Sequence, residues 1–104
     1  MKIEFDKDYL RDLYEKGVAD KKHRFQPEIV RKYVKVINIM KNASSVEDLF
    51  PFASLNYKML NGDKGGVESV RVNDKYRIEF QSCITDAETK LTVCNILELS
   101  NHYK

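Results

Sequence analysis

The chain has 104 residues, of which 42% are hydrophobic and 33% charged, and its formal net charge is +2. This composition is typical of a globular protein, and the length provides for a single domain, residues 1–104, with one core. No apolar run approaches the roughly 18 residues of a membrane span, and the first residues mix acids with bases, unlike a signal peptide. We therefore expect a cytoplasmic protein with no membrane contact.

The first segment predicts a short strand and then a helix. Lys2 to Phe5 alternates between polar and apolar residues, as a strand at the edge of a sheet does. Asp6 or Asp8 can cap the helix that follows, and Gly17 is placed to end it.

A longer second helix is predicted to begin at Pro27, because proline favours the first helical position. Up to about Lys41, apolar residues recur with the 3.6-residue period of a helix, at Ile29, Val30, Tyr33, Val34, Ile37 and Met40. Ser44 and Glu47 have the spacing of a capping box, which predicts a helical turn that Pro51 ends.

The second half of the chain reads as strands. Tyr57 to Leu60 is a candidate strand, a hairpin follows within residues 67–81, and Leu91 to Leu97 is apolar enough to lie in the middle of a sheet. Helices first and antiparallel strands second predict an α+β fold, with the two N-terminal helices packed on one face of an antiparallel sheet of about four strands.

The hairpin pattern also predicts its register. A three-residue loop, residues 73–75, places Val72 opposite Tyr76 and produces a continuous apolar face, whereas a two-residue loop would mix valines with charged residues. Arg71 and Arg77 then lie opposite each other on the second face, which we expect to remain partly open. Two facing cations repel unless an anion lies between them, so this pair is either an anion site or two solvated arginines.

A basic segment lies between Lys21 and Lys41, with seven basic residues and one acid, Glu28. Such a surface attracts a polyanion or an acidic protein segment, although solvated helix surface is an equally good interpretation. His23 lies in this segment as a solvated group or as a contact to RNA. The two cysteines, Cys83 and Cys94, are too far apart for a C-x-x-C motif and are expected to be buried free thiols.

In its order of elements and in three segments, the chain resembles the HigB group of the RelE/ParE superfamily, the toxin halves of bacterial type II toxin–antitoxin pairs. The segments are LYEKGV, MLNGDKGGVESVRVNDKYRIEFQ and the histidine near the carboxyl end, His102. The resemblance implies a RelE-like fold and a toxin that cleaves mRNA on the ribosome without a metal or other cofactor. It also implies a cognate antitoxin as partner, of the HigA-like helix-turn-helix type.

The resemblance further implies which residues act. His102 is the general acid or base, a role that histidine can take near neutral pH, and Arg77 stabilises the phosphate charge. The chain has Asn61 where the family often has lysine, and Ser100-Asn101-His102 where the family often has Asp-Tyr-His. Further RNA contacts are expected from Arg71, Lys58, Asn61, Lys64 and Tyr103, and docking on ribosomal RNA from Lys21, Lys22, Arg24, Arg31, Lys32 and Lys35.

Two alternatives stay open. One is a toxin of this fold in the ParE manner, which binds DNA gyrase and cuts nothing; the other is a non-catalytic RNA-binding regulatory module. Neither requires His102 for its effect, so replacing that residue discriminates. The sequence has no Walker motif, no paired carboxylates at helical spacing and no cluster of metal ligands, so we expect neither a nucleotide nor a metal cofactor.

Overall fold

A computed structural model describes residues 1–62, 65–85, 88 and 90–101. The described chain forms two α-helices, two short 3₁₀ turns and one five-stranded sheet. In chain order the elements are β1 (Lys2–Phe5), α1 (Asp8–Glu15), α2 (Pro27–Asn42), the 3₁₀ turns (Val46–Leu49 and Ala53–Leu55), β2 (Lys58–Met59), β3 (Glu68–Arg71), β4 (Arg77–Ile84) and β5 (Thr92–Ser100).

The α+β fold is confirmed, with one difference in the sheet. Its strand order is β1-β5-β4-β3-β2, and β1 pairs with β5 in parallel, from Lys2 opposite Val93 to Phe5 opposite Ile96. The other pairs are antiparallel, so the sheet is mixed and has five strands instead of about four antiparallel ones. A parallel pair needs a long connection, which the helices and the other strands supply here. The strand predicted for the middle of the sheet, β5, does lie between two others.

Both helices form as the sequence predicts, with small shifts at their ends. In α1 the N-cap residue is Lys7, whose side chain makes no cap hydrogen bond, and Asp8 is the first helical residue instead of a cap. Gly17 follows the helix with a φ of +66°, a conformation that favours glycine. Pro27 begins α2 as predicted, but Val36 is fully buried and Val34 only half-buried.

The predicted capping box is wrong. The 3₁₀ turn at residues 46–49 has Ser45 as its N-cap, and no side chain caps it. The backbone amide of Ser44 instead donates to Asp48 Oδ2 at 3.0 Å, so this aspartate satisfies the group that a capping box would have assigned to Glu47.

One hydrophobic core joins the two helices to one face of the sheet. From the helices it takes Leu10, Leu13, Tyr33, Ile37 and Met40, each with no exposed surface; from the sheet it takes Val70, Ile78, Phe80, Cys94, Ile96 and Leu99. Strand β5 has a bulge. Phe80 pairs with Ile96, but the preceding residue of β4, Glu79, pairs with Glu98, so β5 has one extra residue at this point. The extra residue keeps Ile96 and Leu99 on the core face and turns Glu98 and Ser100 to the other face.

The two cysteines differ in exposure. Cys94 is buried in the core, as expected, and burial raises the pKa of its thiol to about 12; Cys83 is a free thiol too, but it is exposed. None of the described helices has the length and apolar character to cross a membrane.

Two tyrosine hydroxyls join α1 to α2, and they make a matched test of burial. The Tyr33 hydroxyl donates to the Leu10 carbonyl at 2.7 Å inside the core, whereas the Tyr14 hydroxyl donates to Asn38 Oδ1 at 2.5 Å at the surface. We expect Tyr33→Phe to lower the free energy of unfolding by about 1–2 kcal/mol, because it removes a buried hydrogen bond. Tyr14→Phe should cost less than about 0.5 kcal/mol, since water replaces the partner. Urea unfolding measures both, and equal losses would contradict this account.

Candidate functional site

Arg77 is held by hydrogen bonds across the neighbouring strand. It lies at the start of β4, and its side chain passes over β3, where Nε donates to Ser69 Oγ at 3.0 Å and Nη2 to the Ser69 carbonyl at 3.2 Å. On the far side of β3, Nη2 also donates to the Asn56 carbonyl at 2.5 Å. These three acceptors are neutral oxygens, and together they fix the direction of the guanidinium group.

The sheet face opposite the helices is less open than the sequence suggested. Four polar residues on it, Ser69, Arg77, Glu79 and Ser100, are each 5% exposed or less. The expectation that both arginines lie on an open face is therefore wrong for Arg77. The physical reason is that its side chain follows the sheet surface to reach Asn56 instead of projecting into water.

The predicted register of the hairpin is confirmed, and it shows how the two arginines avoid each other. Arg71 is directly opposite Arg77, and the backbone amide of Val72 donates to the Tyr76 carbonyl at 2.9 Å, which closes the three-residue loop. Arg71 pairs with Asp74 in that loop, whereas Arg77 is directed towards Ser69 and Asn56. The two cations thus point away from each other, each towards its own oxygens.

A second buried side chain, that of Glu68, contacts the same segment, residues 56 and 57, from the core face of the sheet. Glu68 alternates with Ser69 and so lies on the core side, where it accepts hydrogen bonds from the Tyr57 hydroxyl at 2.6 Å and from Ser82 Oγ at 2.6 Å. Burial, and then the hydrogen bond to Glu68, raise the pKa of Tyr57. Residues 56 and 57 are therefore held from both faces of the sheet, one by Arg77 and the other by Glu68.

A groove runs between the hairpin tip and the start of α2; we call it the hairpin groove. Its cavity volume is about 540 Å³. The rings of Phe25 and Tyr76 meet edge to face at 5.6 Å and hold its two walls together. The lining residues are Arg24, Gln26, Glu28, Ile29, Lys32, Arg71, Asn73, Asp74, Lys75 and Tyr76.

The structure brings together only part of the residues expected to bind RNA. Arg24, Lys32 and Arg71 all line the hairpin groove. Arg31 faces a separate depression with Gly17 and Val34. Lys58 lies on β2 and Asn61 just after it, at the edge of the sheet opposite β1, and both residues are exposed. Lys21, Lys22 and Lys35 are exposed as well.

Three predicted site residues, Lys64, His102 and Tyr103, lie outside the described residues. The described chain approaches Arg77 at its carboxyl end, because Ser100 is the register partner of Arg77 in β4 and β5.

His23 has a defined local environment instead of a fully solvated one. Its ring stacks on Tyr9 with centroids 3.7 Å apart, and Nδ1 lies 3.0 Å from Asp20 Oδ1. A hydrogen bond from the His23 backbone amide, followed by the ring contact, holds the pKa of Asp20 below its usual range. Among the described residues, no group of three or more histidine, cysteine and acidic side chains could hold a metal ion.

Sequence reasoning missed Asn56, Ser69 and Lys75. Asn56 has a φ of +41°, a left-handed conformation that asparagine tolerates better than most residues, so an asparagine just before a predicted strand was the available signal. The alternation of the hairpin puts Ser69 on the same face as the arginines, but nothing in the pattern shows that its hydroxyl and carbonyl both accept from Arg77. Lys75 was treated only as a loop residue.

Alanine substitutions of the two facing arginines, Arg77 and Arg71, should lower the free energy of unfolding by clearly different amounts. Arg77→Ala leaves two buried oxygens of Ser69 and the partly buried carbonyl of Asn56 without this donor, and we expect a loss of at least about 2 kcal/mol in the free energy of unfolding. Arg71→Ala removes only a surface ion pair with Asp74, so its cost should stay under about 1 kcal/mol. Urea unfolding of the purified variants measures both. Similar losses would show that the contacts of Arg77 carry no more energy than an exposed pair.

Comparisons with known proteins show the family to which this chain belongs. The family model described as RelE-like toxin of the type II toxin–antitoxin system HigB matches residues 3–94. No curated protein matches the chain. Among solved structures, the chain is similar to a YoeB/ParE toxin from Agrobacterium tumefaciens, with a TM-score of 0.59 and 21% identity over 99% of this chain and 100% of that one.

Two further structures share the fold. The YoeB–YefM complex from Staphylococcus aureus matches with a TM-score of 0.56 and 18% identity, over 99% of this chain and 98% of that one. YafQ from Escherichia coli matches with a TM-score of 0.55 and 13% identity, over 97% of this chain and 92% of that one. At these identities the structures support the fold, and the match over residues 3–94 supports the family. The chain belongs to the HigB-like, RelE-like toxins of type II toxin–antitoxin systems.

Proposed function

We propose that this toxin is a ribosome-dependent endoribonuclease that cleaves mRNA without a metal ion. The observation that carries the proposal is the register at the end of the sheet. Arg77 is opposite Ser100 at the end of β5, and His102 follows Ser100 by two positions in the sequence. The proposal assigns these two residues the roles of oriented cation and proton-transferring group. Membership of the RelE-like toxins supports the same reaction.

The reaction is attack of a ribose 2′-hydroxyl on the adjacent phosphorus. The new bond joins the 2′-oxygen to phosphorus, and the bond from phosphorus to the 5′-oxygen breaks. One proton leaves the 2′-hydroxyl and another reaches the 5′-oxygen, which gives a 2′,3′-cyclic phosphate and a 5′-hydroxyl. His102 performs one of these proton transfers, as base or as acid, at neutral pH.

Arg77 contributes a cation that is already oriented. Negative charge builds up on the phosphate oxygens during the attack, and a fixed positive group stabilises it without reorganising. The hydrogen bonds to Ser69 and Asn56 supply this rigidity. In the proposed site, Tyr103 stacks on a base, while Lys58, Asn61 and Lys64 contact the RNA strand near β2.

A cognate antitoxin holds the toxin inactive in this proposal, and a HigA-like helix-turn-helix protein is the expected type. Support comes from the family, which is defined by toxin–antitoxin pairs, and from the fold shared with a toxin of Staphylococcus aureus that was solved as a heterotetrameric toxin–antitoxin complex.

The two histidines of the chain provide a matched test of catalysis. We expect His102→Ala to abolish growth arrest and to lower cleavage of a ribosome-bound mRNA by about 10²–10⁴-fold, the usual contribution of general acid–base catalysis. His23→Ala should retain the parent's activity, because its ring contacts only Asp20 and Tyr9 among the residues described around it. Circular dichroism and antitoxin binding check that both variants fold.

Cleavage by His102→Ala at the parent's rate would remove this residue from the mechanism. If the parent arrests growth while mRNA stays intact and DNA gyrase is inhibited, the toxin acts in the ParE manner. Binding to RNA without cleavage or growth arrest would instead show a regulatory module.

Ribosome docking is proposed for the basic residues that lie outside the hairpin groove, Lys21, Lys22, Arg31 and Lys35. Replacing Lys22, Arg31 and Lys35 with glutamate should weaken co-sedimentation with ribosomes, and the effect should be largest at low salt because phosphate contacts release counterions. Growth arrest should fall in parallel.

The control is a triple variant with the same change in net charge on another surface, at Lys2, Lys7 and Lys16, all of which are exposed. It should co-sediment nearly as well as the parent. Equal weakening in both triple variants would mean that net charge, and not a docking surface, governs ribosome association.

A further inference from the structure

We propose that the hairpin groove binds the phosphate backbone of the RNA strand next to the cleaved bond, and that Asp74 occupies the phosphate position on Arg71 until RNA displaces it. The inference rests on the proposed nuclease function, to which it adds a second, non-catalytic subsite. The first support is the charge of the groove, which carries four cations, Arg24, Lys32, Arg71 and Lys75, and two acids, Glu28 and Asp74.

The four cations of the hairpin groove come from three separate segments of the chain, and none of them belongs to the hydrophobic core. Within the described part of the chain, the side chains of Arg24, Lys32 and Lys75 form no ion pair, and all three residues are exposed. Like charges gathered at one cavity repel each other, so the arrangement favours an anionic ligand that bridges them.

The groove is also formed before any ligand arrives. The ring contact between Phe25 and Tyr76 joins its walls, and Ile29 at its base is buried. The backbone of the hairpin loop is fixed by Asn73, whose Oδ1 accepts from the amides of Lys75 at 2.9 Å and Tyr76 at 2.8 Å. Binding therefore needs side-chain movement only.

The pair of Arg71 with Asp74 is suited to exchange. Asp74 is 93% exposed and Arg71 37%, and an ion pair in water at this exposure contributes little to stability. A phosphate offers the guanidinium the same kind of oxygen acceptors with more negative charge. Displacing Asp74 consequently costs little, and the freed guanidinium gains a stronger partner.

The position and lining favour an RNA strand over a small anion. Arg71 is the register partner of Arg77, so the two backbone positions are neighbours, with the Cα separation of about 5 Å that is usual for paired residues, and one RNA strand can contact both residues. A cavity of about 540 Å³ has room for more than one phosphate group. The Gln26 and Asn73 amides and the Tyr76 ring can contact bases or ribose.

The test measures RNA binding without cleavage, in protein carrying His102→Ala. The probe is a fluorescein-labelled single-stranded oligoribonucleotide, titrated by fluorescence anisotropy over a salt series. Asp74→Asn should tighten binding about fivefold at low salt, the factor equivalent to the roughly 1 kcal/mol of an exposed ion pair. Arg71→Gln should weaken binding and reduce the salt slope by about 0.7, the value for one phosphate contact on a single strand.

The matched control is the other surface pair with the same geometry, Arg11 with Asp8, three residues apart in α1. Asp8→Asn and Arg11→Gln change net charge by the same amounts away from the groove, so they should alter affinity by less than about twofold. In protein that already carries Arg71→Gln, Asp74→Asn should no longer tighten binding. Thermal unfolding confirms that all variants are folded.

Equal effects at Asp74 and Asp8 would overturn the proposal, because net charge alone would then explain them. Unchanged RNA binding together with lost antitoxin binding would also overturn it and would make the groove a protein interface. Failure of the nuclease proposal is a separate result: a parent protein that cuts no mRNA, with groove-dependent RNA binding intact, leaves this subsite standing.

Discussion

The hydrogen bonds that carry the Arg77 side chain across β3 to Asn56 connect the sheet to the segment that precedes β2. Without them, the Asn56 carbonyl, which lies in a left-handed turn, would lose the donor that reaches it from β4. Glu68 holds the next residue, Tyr57, from the core side. The edge of the sheet therefore depends on two ionisable groups that act from opposite faces, and the proposed catalytic cation is one of them.

The proposed double role would explain why Arg77 is buried in a site that is proposed to bind RNA. A cation free in solvent would be mobile and hydrated, whereas one held by three hydrogen bonds keeps its direction when charge develops nearby. In the proposed mechanism, Arg77 therefore couples stability to activity, because no other type of side chain supplies both the forked donors and a permanent charge. Lysine at this position would retain the charge but could not donate to Ser69 and Asn56 in the same geometry.

The sequence predicted the parts of the fold that depend on local periodicity. The hairpin register followed from alternation, and α2 from Pro27 and its apolar stripe, because these signals lie within a few residues of the structure they specify. The burial of Arg77 could not be predicted, since one of its three acceptors, the Asn56 carbonyl, lies 21 positions away in the sequence. The parallel pairing of β1 with β5 was missed for the same reason. In the candidate site, the sequence identified Arg24, Lys32 and Arg71 separately, but only the fold shows that they line one groove.

The parallel pairing of β1 with β5 has a consequence for how the toxin is made. It joins segments from opposite ends of the sequence, and β5 separates β1 from the rest of the sheet. A nascent chain that still lacks β5 leaves β1 without its pairing partner and Arg77 without its register partner Ser100. Contacts this distant in sequence also slow folding. The pairing of β1 with β5, and that of Arg77 with Ser100, can therefore form only after Thr92–Ser100 has been synthesised and released from the ribosome.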